Sequence, residues 1–211
     1  NNERKKNIFE QNINFAKNLT RFCNNKKIKK LIYFSSISIY GKNNEKIISE
    51  KSKKINICPY GKSKLIAEDF FLKNLTHTSF VSLRLPGIIG EGSTRNWLSE
   101  CKRLMKKDAK IKFYNPNSLF NNVIHIKNLS EIISCLLDCK LSEKYIFNVG
   151  AKYPMKIKNC LEVLKKKMNS NSLFFSQESP HTSFLINSEK IRKFVNTNFF
   201  TTRRSIESFA K

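Results

Sequence analysis

A short apolar run that ends in hydroxyl side chains constrains the fold of this chain more than any other feature. Residues 30–36 read Lys-Leu-Ile-Tyr-Phe-Ser-Ser, and a turn at Gly41 follows. A run of this length and composition predicts a strand of a parallel sheet that is buried on both faces. Open parallel sheets bind ligands beyond the carboxyl ends of their strands. The sequence therefore predicts that Ser35 and Ser36 lie at a ligand-binding edge.

A second stretch, residues 58–68, predicts the start of an amphipathic helix. Pro59 suits the first helical turn, where a missing N–H group costs nothing. Tyr60 and Lys64 are four residues apart, so their side chains share one face of the helix. An ammonium group beside a tyrosine favours the phenolate, which can take a proton from an alcohol or return one to a ketone. Taken alone, the pair fits equally a solvated tyrosine beside a surface lysine.

The rest of the chain alternates between helical and strand patterns. Apolar spacing predicts a helix over 2–25, which carries Ile8, Asn12, Phe15, Leu19 and Phe22. The segment 42–57 is predicted to be a polar loop with Glu50 and Lys51 at its tip. Further strands are predicted at 79–85, 111–114, 121–126 and 145–150, and further helices at 59–76, 94–107, 127–140, 157–168 and 188–195. Thr94 is the predicted N-cap of the helix 94–107. The side chains predicted to face inward are Leu65, Ala67, Phe70 and Phe71 on the helix 59–76, and Leu129, Ile132, Ile133, Leu136 and Leu137 on the helix 127–140. Strand, helix and strand in this order predict a right-handed parallel crossover.

Together the two motifs resemble a known family. A strand ending Ser-Ser-x-x-x-Tyr-Gly, a loop, and Pro-Tyr-x-x-Ser-Lys opening a helix resemble the extended short-chain dehydrogenase/reductases, and more narrowly their NAD-dependent epimerase/dehydratase group. The resemblance continues through residues 83–90, 123–126 and 147–150. It implies an α/β fold: a partial Rossmann-like, doubly wound parallel sheet with a small C-terminal α/β substrate lobe, to which Ser179, Pro180 and His181 belong. Residues 1–90 would carry the catalytic residues, and 91–211 would form mainly the substrate lobe, with segments around 121–150 returning to the sheet.

The resemblance also implies an active site. Tyr60 would be the acid/base, Lys64 would lower its pKa and bind the nicotinamide ribose, and Ser36 would bind the reacting oxygen. The cofactor, NAD or NADP, would also meet Asn12, Ser35 and Pro86; the nucleotide-sugar substrate would meet Ser36, Ser38, Gly87, Arg95 and Asn96. Asn12 and Arg95 fit solvated positions as well, and Gly87 fits an ordinary turn.

The residues at 37–38 narrow the reaction that the resemblance implies. Ile37 and Ser38 stand where 4,6-dehydratases carry an Asp-Glu pair. This favours an epimerase or 4-keto-reductase of UDP- or dTDP-sugars in polysaccharide precursor synthesis. Relatives often form dimers through a four-helix bundle, which here would use 59–76 and 2–25.

The chain departs from the family in two respects. No strand, Gly-x-x-Gly-x-x-Gly turn and helix is found in it, so the principal pyrophosphate cradle is missing and roughly the first quarter to third of a family member is expected to be absent. Asn121 replaces a phosphate-binding arginine, and Lys127 and Asn128 replace an acidic pair. An inactive remnant of such an enzyme is therefore the alternative.

Composition bounds the remaining classes. The 211 residues are 40% hydrophobic, enough for one core, and no apolar run could span a bilayer. The net charge of +24 fits a nucleic-acid-binding protein, but the lysines are spread over every helix, so we expect no specific nucleic-acid partner. Positive potential would instead attract dianionic sugar nucleotides. Cys135 and Cys139 lie one helical turn apart, yet the six scattered cysteines favour buried thiols in the cytoplasm over a metal site. His125 is expected to pack or cap.

Overall fold

The computed structural model describes residues 2–180 and 184–211, with side chains from residue 9 onward. The predictions for the Ile8 side chain and for His181 lie outside these residues. No described helix combines the length and the apolar character that a membrane crossing requires.

A three-stranded parallel sheet lies at the centre of the first half of the fold. Its strands are β1 (Lys30–Ser36), β3 (Ser79–Leu85) and β8 (Lys144–Asn148), in the order β1-β3-β8. The register places Ser36 of β1 opposite Leu85 of β3. Because parallel strands end at one edge, the Ser36 hydroxyl and the residues that follow Leu85 lie side by side.

Helices cover the sheet on both faces, as a doubly wound fold requires. Tyr33 and Phe80 pack on one face against α1 (Asn2–Asn25) and α2 (Pro59–Asn74). Leu83 and Phe147 pack on the other face against α4 (Ile126–Asp138) and α6 (Glu189–Phe194). β3 is therefore buried on both faces, which explains its nearly continuous apolar sequence.

Short strand pairs and three helices build the second half. The pairs are β2 (Ile47–Ile48) with β11 (Leu185–Ile186), β4 (Gly87–Ile89) with β7 (Val123–His125), β5 (Ile111–Tyr114) with β10 (Phe174–Gln177), all parallel, and β6 (Leu119–Phe120) antiparallel with β9 (Met155–Lys156). A separate core unites this half with α3 (Trp97–Met105), α5 (Ile157–Met168) and α7 (Thr202–Ala210). The partial Rossmann-like α/β fold with a smaller α/β region is confirmed. The division at residue 90 stays a prediction, although β8 does return to the first sheet.

Several elements match their predicted bounds, and others require correction. The predicted helix 2–25 and strands 30–36, 79–85 and 111–114 are confirmed, as is the helix 157–168. The helix predicted from Thr94 begins instead at Trp97, and the side chain of Asn96 caps it by accepting from the Ser99 N–H. The helices predicted at 59–76, 94–107, 127–140 and 188–195 end one to two residues earlier than predicted, a common uncertainty at frayed helix ends.

Two predictions about burial are also wrong, and the spacing on α1 does not identify its covered side chains. Among the side chains that are described on α1, Ala16, Thr20 and Cys23 are buried, whereas Phe15 and Phe22 are 57% and 53% exposed. Leu137 on α4 is exposed rather than inward. Of the six free cysteines, only Cys23, Cys101 and Cys160 are buried. In each case helical spacing identifies a possible face, but the neighbouring elements decide which part of it is covered.

Candidate active site

Ser36 and Tyr60 are brought together by the close approach of two elements. Ser36 ends β1 and caps a 3-10 turn, Ile37–Tyr40, by accepting from the Ser38 N–H at 3.1 Å. Gly61, next to Tyr60 on α2, lies so close to this turn that a Cβ there would stand 2.3 Å from the Ser38 carbonyl oxygen. Only a glycine permits this approach. As a result, the Ser36 side chain is close enough to the Tyr60 phenol to lower its pKa.

Two opposing effects act on the titration of Tyr60. Partial burial raises the pKa of Tyr60, and the side chain of Ser36 opposes that rise. The Lys64 ammonium lies 5.9 Å from the centre of the Tyr60 ring. That Lys64 lowers the pKa of Tyr60 stays a prediction. The phenol is protonated at neutral pH.

Lys64 is occupied by the edge strand. Its Nζ donates to the Phe34 carbonyl oxygen at 2.9 Å and lies 5.0 Å from the centre of the Tyr33 ring. Burial lowers the pKa of Lys64. The ammonium thus lies at the sheet, on the side of the helix that Tyr60 shares, rather than in bulk solvent.

Two of the residues predicted to meet the cofactor, Ser35 and Asn12, differ in their hydrogen bonding. Ser35 is buried, and its Oγ has no hydrogen-bond partner among the described residues. Asn12 donates through Nδ2 to Ser63 Oγ at 2.9 Å, and Ser63 in turn donates to the Tyr60 carbonyl oxygen at 2.8 Å. Asn12 therefore ties α1 to the first turn of α2 in this structure.

Three of the residues predicted to meet the substrate, Gly87, Arg95 and Asn96, line one open cleft of about 470 Å³, whereas Ser36 does not. Pro86, which was predicted to meet the cofactor, lines the same cleft. Pro86 and Gly87 form one wall, directly after β3, and Arg95 and Asn96 form the other, directly before α3. Asn96 spans the cleft by donating to the Ile88 carbonyl oxygen at 3.0 Å. Ser38 lies in the 3-10 turn and is not among the residues that line this cleft.

A second pocket, which sequence reasoning did not find, adjoins the cleft. It has a volume of about 630 Å³ and shares Gly87 and Asn96 with the cleft. Its lining is largely apolar and includes Trp97, Phe113 and Lys112. The alternation of buried and exposed residues along β5 was the available indication, because it places Lys112 and Tyr114 on one side of the strand.

The residues at the altered family positions are used structurally. Asn121 is buried, donates to the Ile186 carbonyl oxygen at 2.9 Å and accepts from the Ile186 N–H at 2.9 Å. Asn128 accepts from the Phe200 N–H at 2.9 Å and donates to the Asn198 carbonyl oxygen at 3.1 Å. Both amides hold the C-terminal segment in place.

His125 caps α4, as expected. Its Nδ1 accepts from the Lys127 N–H, and its ring stacks on Phe200. Among the described residues no group of three or more His, Cys, Asp or Glu side chains could hold a metal ion.

Comparisons with known proteins identify the family and the fold. Residues 1–150 match the model of the NAD dependent epimerase/dehydratase family. No curated protein matches the chain. The UDP-Glc/GlcNAc 4-epimerase from Campylobacter jejuni is a structural neighbour with a TM-score of 0.80 and 18% identity, over 99% of this chain and 71% of that one.

Two other neighbours cover a similar share. The UDP-N-acetylglucosamine 4-epimerase from Methanobrevibacter ruminantium M1 has a TM-score of 0.78 at 18% identity, over 94% of this chain and 67% of that one. The UDP-glucuronic acid 4-epimerase from Bacillus cereus has a TM-score of 0.79 at 20% identity, over 94% of this chain and 64% of that one. The identities are low, so these neighbours establish the fold, and the family match extends over 150 of the 211 residues. The chain belongs to the NAD dependent epimerase/dehydratase family.

Proposed function

We propose that this chain is the catalytic part of an NAD- or NADP-dependent sugar-nucleotide epimerase or 4-keto-reductase. The observation that carries the proposal is the convergence of Ser36, Tyr60 and Lys64 at the carboxyl edge of β1. Structural neighbours include UDP-sugar 4-epimerases, one of them in complex with NAD. The substrate would be a UDP- or dTDP-sugar used in polysaccharide precursor synthesis.

The three side chains divide the work. Tyr60 takes the proton of a sugar hydroxyl or returns it to a keto oxygen, while Ser36 hydrogen-bonds that oxygen and keeps it near the phenol. A nicotinamide held beside Lys64 and Ser35 would supply the hydride acceptor and donor. Because burial raises the pKa of Tyr60, the phenol needs added positive charge before it ionises at neutral pH. Lys64 supplies such a charge once its ammonium leaves the Phe34 carbonyl oxygen.

The chain fits one end of the dinucleotide. The buried, partnerless Ser35 hydroxyl and the Lys64 ammonium offer polar groups beside the reacting centre. The pyrophosphate of a dinucleotide is usually bound where a strand leads through a glycine-rich turn into the start of a helix. These 211 residues contain no such unit. The residues present thus fit the nicotinamide and its ribose, and the pyrophosphate requires a further segment.

The outer edge of β1 is where such a segment would pair. β1 is the first strand in the order β1-β3-β8, and its Phe34 side chain is 44% exposed. A parallel strand with an uncovered apolar side chain is uncommon, because parallel sheets are normally buried on both faces. A strand and helix from a dinucleotide-binding segment would cover this edge, whether that segment is joined to this chain or separate.

The substrate would extend from the cleft into the second pocket. We place the sugar in the cleft beside Gly87 and the base in the adjoining apolar pocket, against Trp97 and Phe113. Arg95 on the cleft and Lys112 on the pocket carry the positive charge for the diphosphate. Asn121 does not contribute, because its amide is committed to Ile186.

Hydride transfer tests the assignment. We expect Tyr60→Phe to lower turnover with UDP- or dTDP-sugars by about 100-fold or more, since general acid–base catalysis contributes that much. Tyr153→Phe is the control, because Tyr153 is largely exposed and lines neither the cleft nor the pocket. Unchanged turnover in Tyr60→Phe would show that the assignment is wrong.

An inactive remnant is the second candidate, and the missing glycine-rich unit is the observation in its favour. Titration with NAD and with NADP, with a dinucleotide-binding segment supplied, separates the two: saturable binding contradicts the remnant, and its absence favours it. A third candidate, a nucleic-acid-binding protein, rests only on the charge. It predicts saturable DNA or RNA binding with a steep salt dependence, measured by fluorescence anisotropy.

A further inference from the structure

We propose that Arg84 is a positioning residue that holds the Ser36-bearing turn and the Tyr60-bearing helix in one fixed arrangement. This inference rests on the proposed function for its catalytic consequence, but its structural part can be tested independently. Arg84 lies on β3, one residue before the strand ends, and touches neither of the two side chains that it would position.

The Arg84 guanidinium joins three elements in the protein interior. Nη2 and Nε donate to the Glu68 carboxylate on α2 at 2.5 and 3.2 Å. Nη1 donates to the Tyr40 hydroxyl at 2.8 Å and to the Glu50 carbonyl oxygen at 3.2 Å. Arg84 is 2% exposed and Glu68 is fully buried, so water does not compete for these bonds. A planar fork with both ends paired fixes direction as well as distance.

One branch of the network controls α2. Glu68 also accepts a hydrogen bond from the Ser82 hydroxyl at 2.6 Å, so two residues of β3, Arg84 and Ser82, bind its carboxylate. Glu68 follows Tyr60 by eight residues, or about 12 Å along the helix axis. The helix is continuous from Pro59 to Asn74 and contains no internal proline. A shift of Glu68 would therefore move Tyr60 as part of a rigid body.

The other branch controls the 3-10 turn. Tyr40 ends the turn that Ser36 begins, and its side chain is fully buried. Its hydroxyl donates to Asn148 Oδ1 on β8 at 2.6 Å while accepting from Arg84, so its donor and one acceptor position are both used. The turn is thus held at both ends, by β1 at Ser36 and by the network at Tyr40.

The two branches meet again at the site. Gly61 on α2 packs directly on the Ser38 carbonyl of the turn. Helix and turn therefore touch each other and share Arg84 as a common partner. Ser36 belongs to this turn and Tyr60 to this helix. The proposed proton transfer depends on these two side chains staying close together.

The same network reaches the loop 42–57. Glu50, which was predicted at the tip of this loop, contacts the first sheet: its carboxylate accepts from the Asn148 N–H at 2.8 Å. Two residues earlier, Ile48 belongs to β2, which pairs with β11 of the C-terminal region. The Arg84 network therefore links the site to the segment that Asn121 holds.

The test compares Arg84→Lys, which keeps the charge and loses the fork, with Tyr40→Phe, which removes only the turn branch. Each variant is labelled with 3-fluorotyrosine, and the Tyr60 resonance is followed by fluorine NMR across its titration. Tyr60→Phe identifies the resonance. Because the Ser36 side chain lowers the pKa of Tyr60, we expect Ser36→Ala to raise that pKa and both test variants to raise it as well.

A double-mutant cycle makes the test decisive. In the Ser36→Ala background, Arg84→Lys should give no further shift of the Tyr60 pKa, because the contact that it disturbs is already gone. Equal shifts in the presence and absence of Ser36 would overturn the proposal, and so would an unshifted titration in both single variants. Tyr40→Phe keeps the test open should Arg84→Lys fail to fold.

Turnover provides the second readout. We expect Arg84→Lys to lower kcat by about 100-fold, the effect of a misplacement near 1 Å, with little change in KM. Leu161→Ala, in the separate core of the second half, controls for destabilisation alone and should leave kcat near the wild-type value below its melting temperature. A loss of kcat in Leu161→Ala as large as in Arg84→Lys would reduce Arg84 to a general stabilising residue. A wild-type chain with no turnover when a dinucleotide-binding segment is supplied would contradict the proposed function, while the NMR titration would still decide the role of Arg84.

Discussion

Replacement of Gly61 by alanine is the sharpest test of how α2 meets the 3-10 turn. The added Cβ would lie 2.3 Å from the Ser38 carbonyl oxygen, 2.7 Å from its carbon and 2.8 Å from Ile57 Cγ2. Carbon and oxygen atoms in even a close contact are about 3.3 Å apart, so helix and turn must separate by about 1 Å. The obstructing atoms are mostly backbone, which cannot rotate away as a side chain would.

The magnitude follows from two opposing terms. Overpacking of this kind costs about 1–3 kcal/mol, and a forced backbone displacement belongs at the upper end. Alanine regains at most about 1 kcal/mol over glycine in a helix. We therefore expect Gly61→Ala to lower the free energy of unfolding by about 2 kcal/mol, and to weaken the Ser36–Tyr60 contact.

Urea unfolding, followed by circular dichroism, measures the change. Gly87→Ala is the matched control: its Cβ would meet nothing closer than 3.5 Å, an ordinary contact, so its stability should change by less than about 0.5 kcal/mol. Equal stability of the two variants would refute the reasoning, because the close approach would then cost nothing.

Other outcomes follow from particular contacts. His125 is buried and its pKa is lowered, first by burial and then by Lys127, so the stability it contributes is present above pH 6.5 and is lost as the pH falls below that value. His125→Asn keeps an acceptor for the Lys127 N–H and should reduce the loss of melting temperature between pH 7 and 5; an unchanged pH dependence would contradict this. Asn121→Ala should cost about 2–3 kcal/mol in urea unfolding because both backbone groups of Ile186 lose their partner. Asn122→Ala is its control, since the buried Asn122 Oδ1 has no partner to lose, and equal costs would argue against the Asn121 contacts. Cys58→Ser, which keeps an acceptor for the Gly61 N–H, should leave the melting temperature of the protein nearly unchanged, and a large fall would show that the thiol does more than cap α2.

The high lysine content has a partly structural explanation that the sequence pattern did not reveal. Lys30 donates to the carbonyl oxygens of Leu136, Leu137 and Cys139 at the end of α4. Lys144 does the same for Leu72 and Leu75 at the end of α2. Ammonium groups at helix C-termini satisfy unpaired carbonyls and the helix dipole. Part of the positive charge is thus used inside the fold, although a charge count cannot distinguish these lysines from solvated ones.

Local sequence was sufficient where one periodicity applied without competition. The run from Lys30 to Ser36 predicted a strand of a parallel sheet, although Phe34 on this strand is exposed rather than buried. The spacing of Tyr60 and Lys64 on a proline-started helix placed both on one face. These two patterns together predicted the parallel crossover, the edge of the sheet and the family. They depend on contacts within a few residues, which the sequence states directly.

The tertiary structure alone decided what each polar side chain binds. Glu50 accepts from the Asn148 N–H on β8, Lys64 donates to the Phe34 carbonyl oxygen, and Asn121 donates to the Ile186 carbonyl oxygen. Each partner is at least 30 residues away or on another element, so no local pattern encodes the pairing. A buried polar group must find a partner wherever the packed chain provides one, and only the assembled fold determines which partner that is.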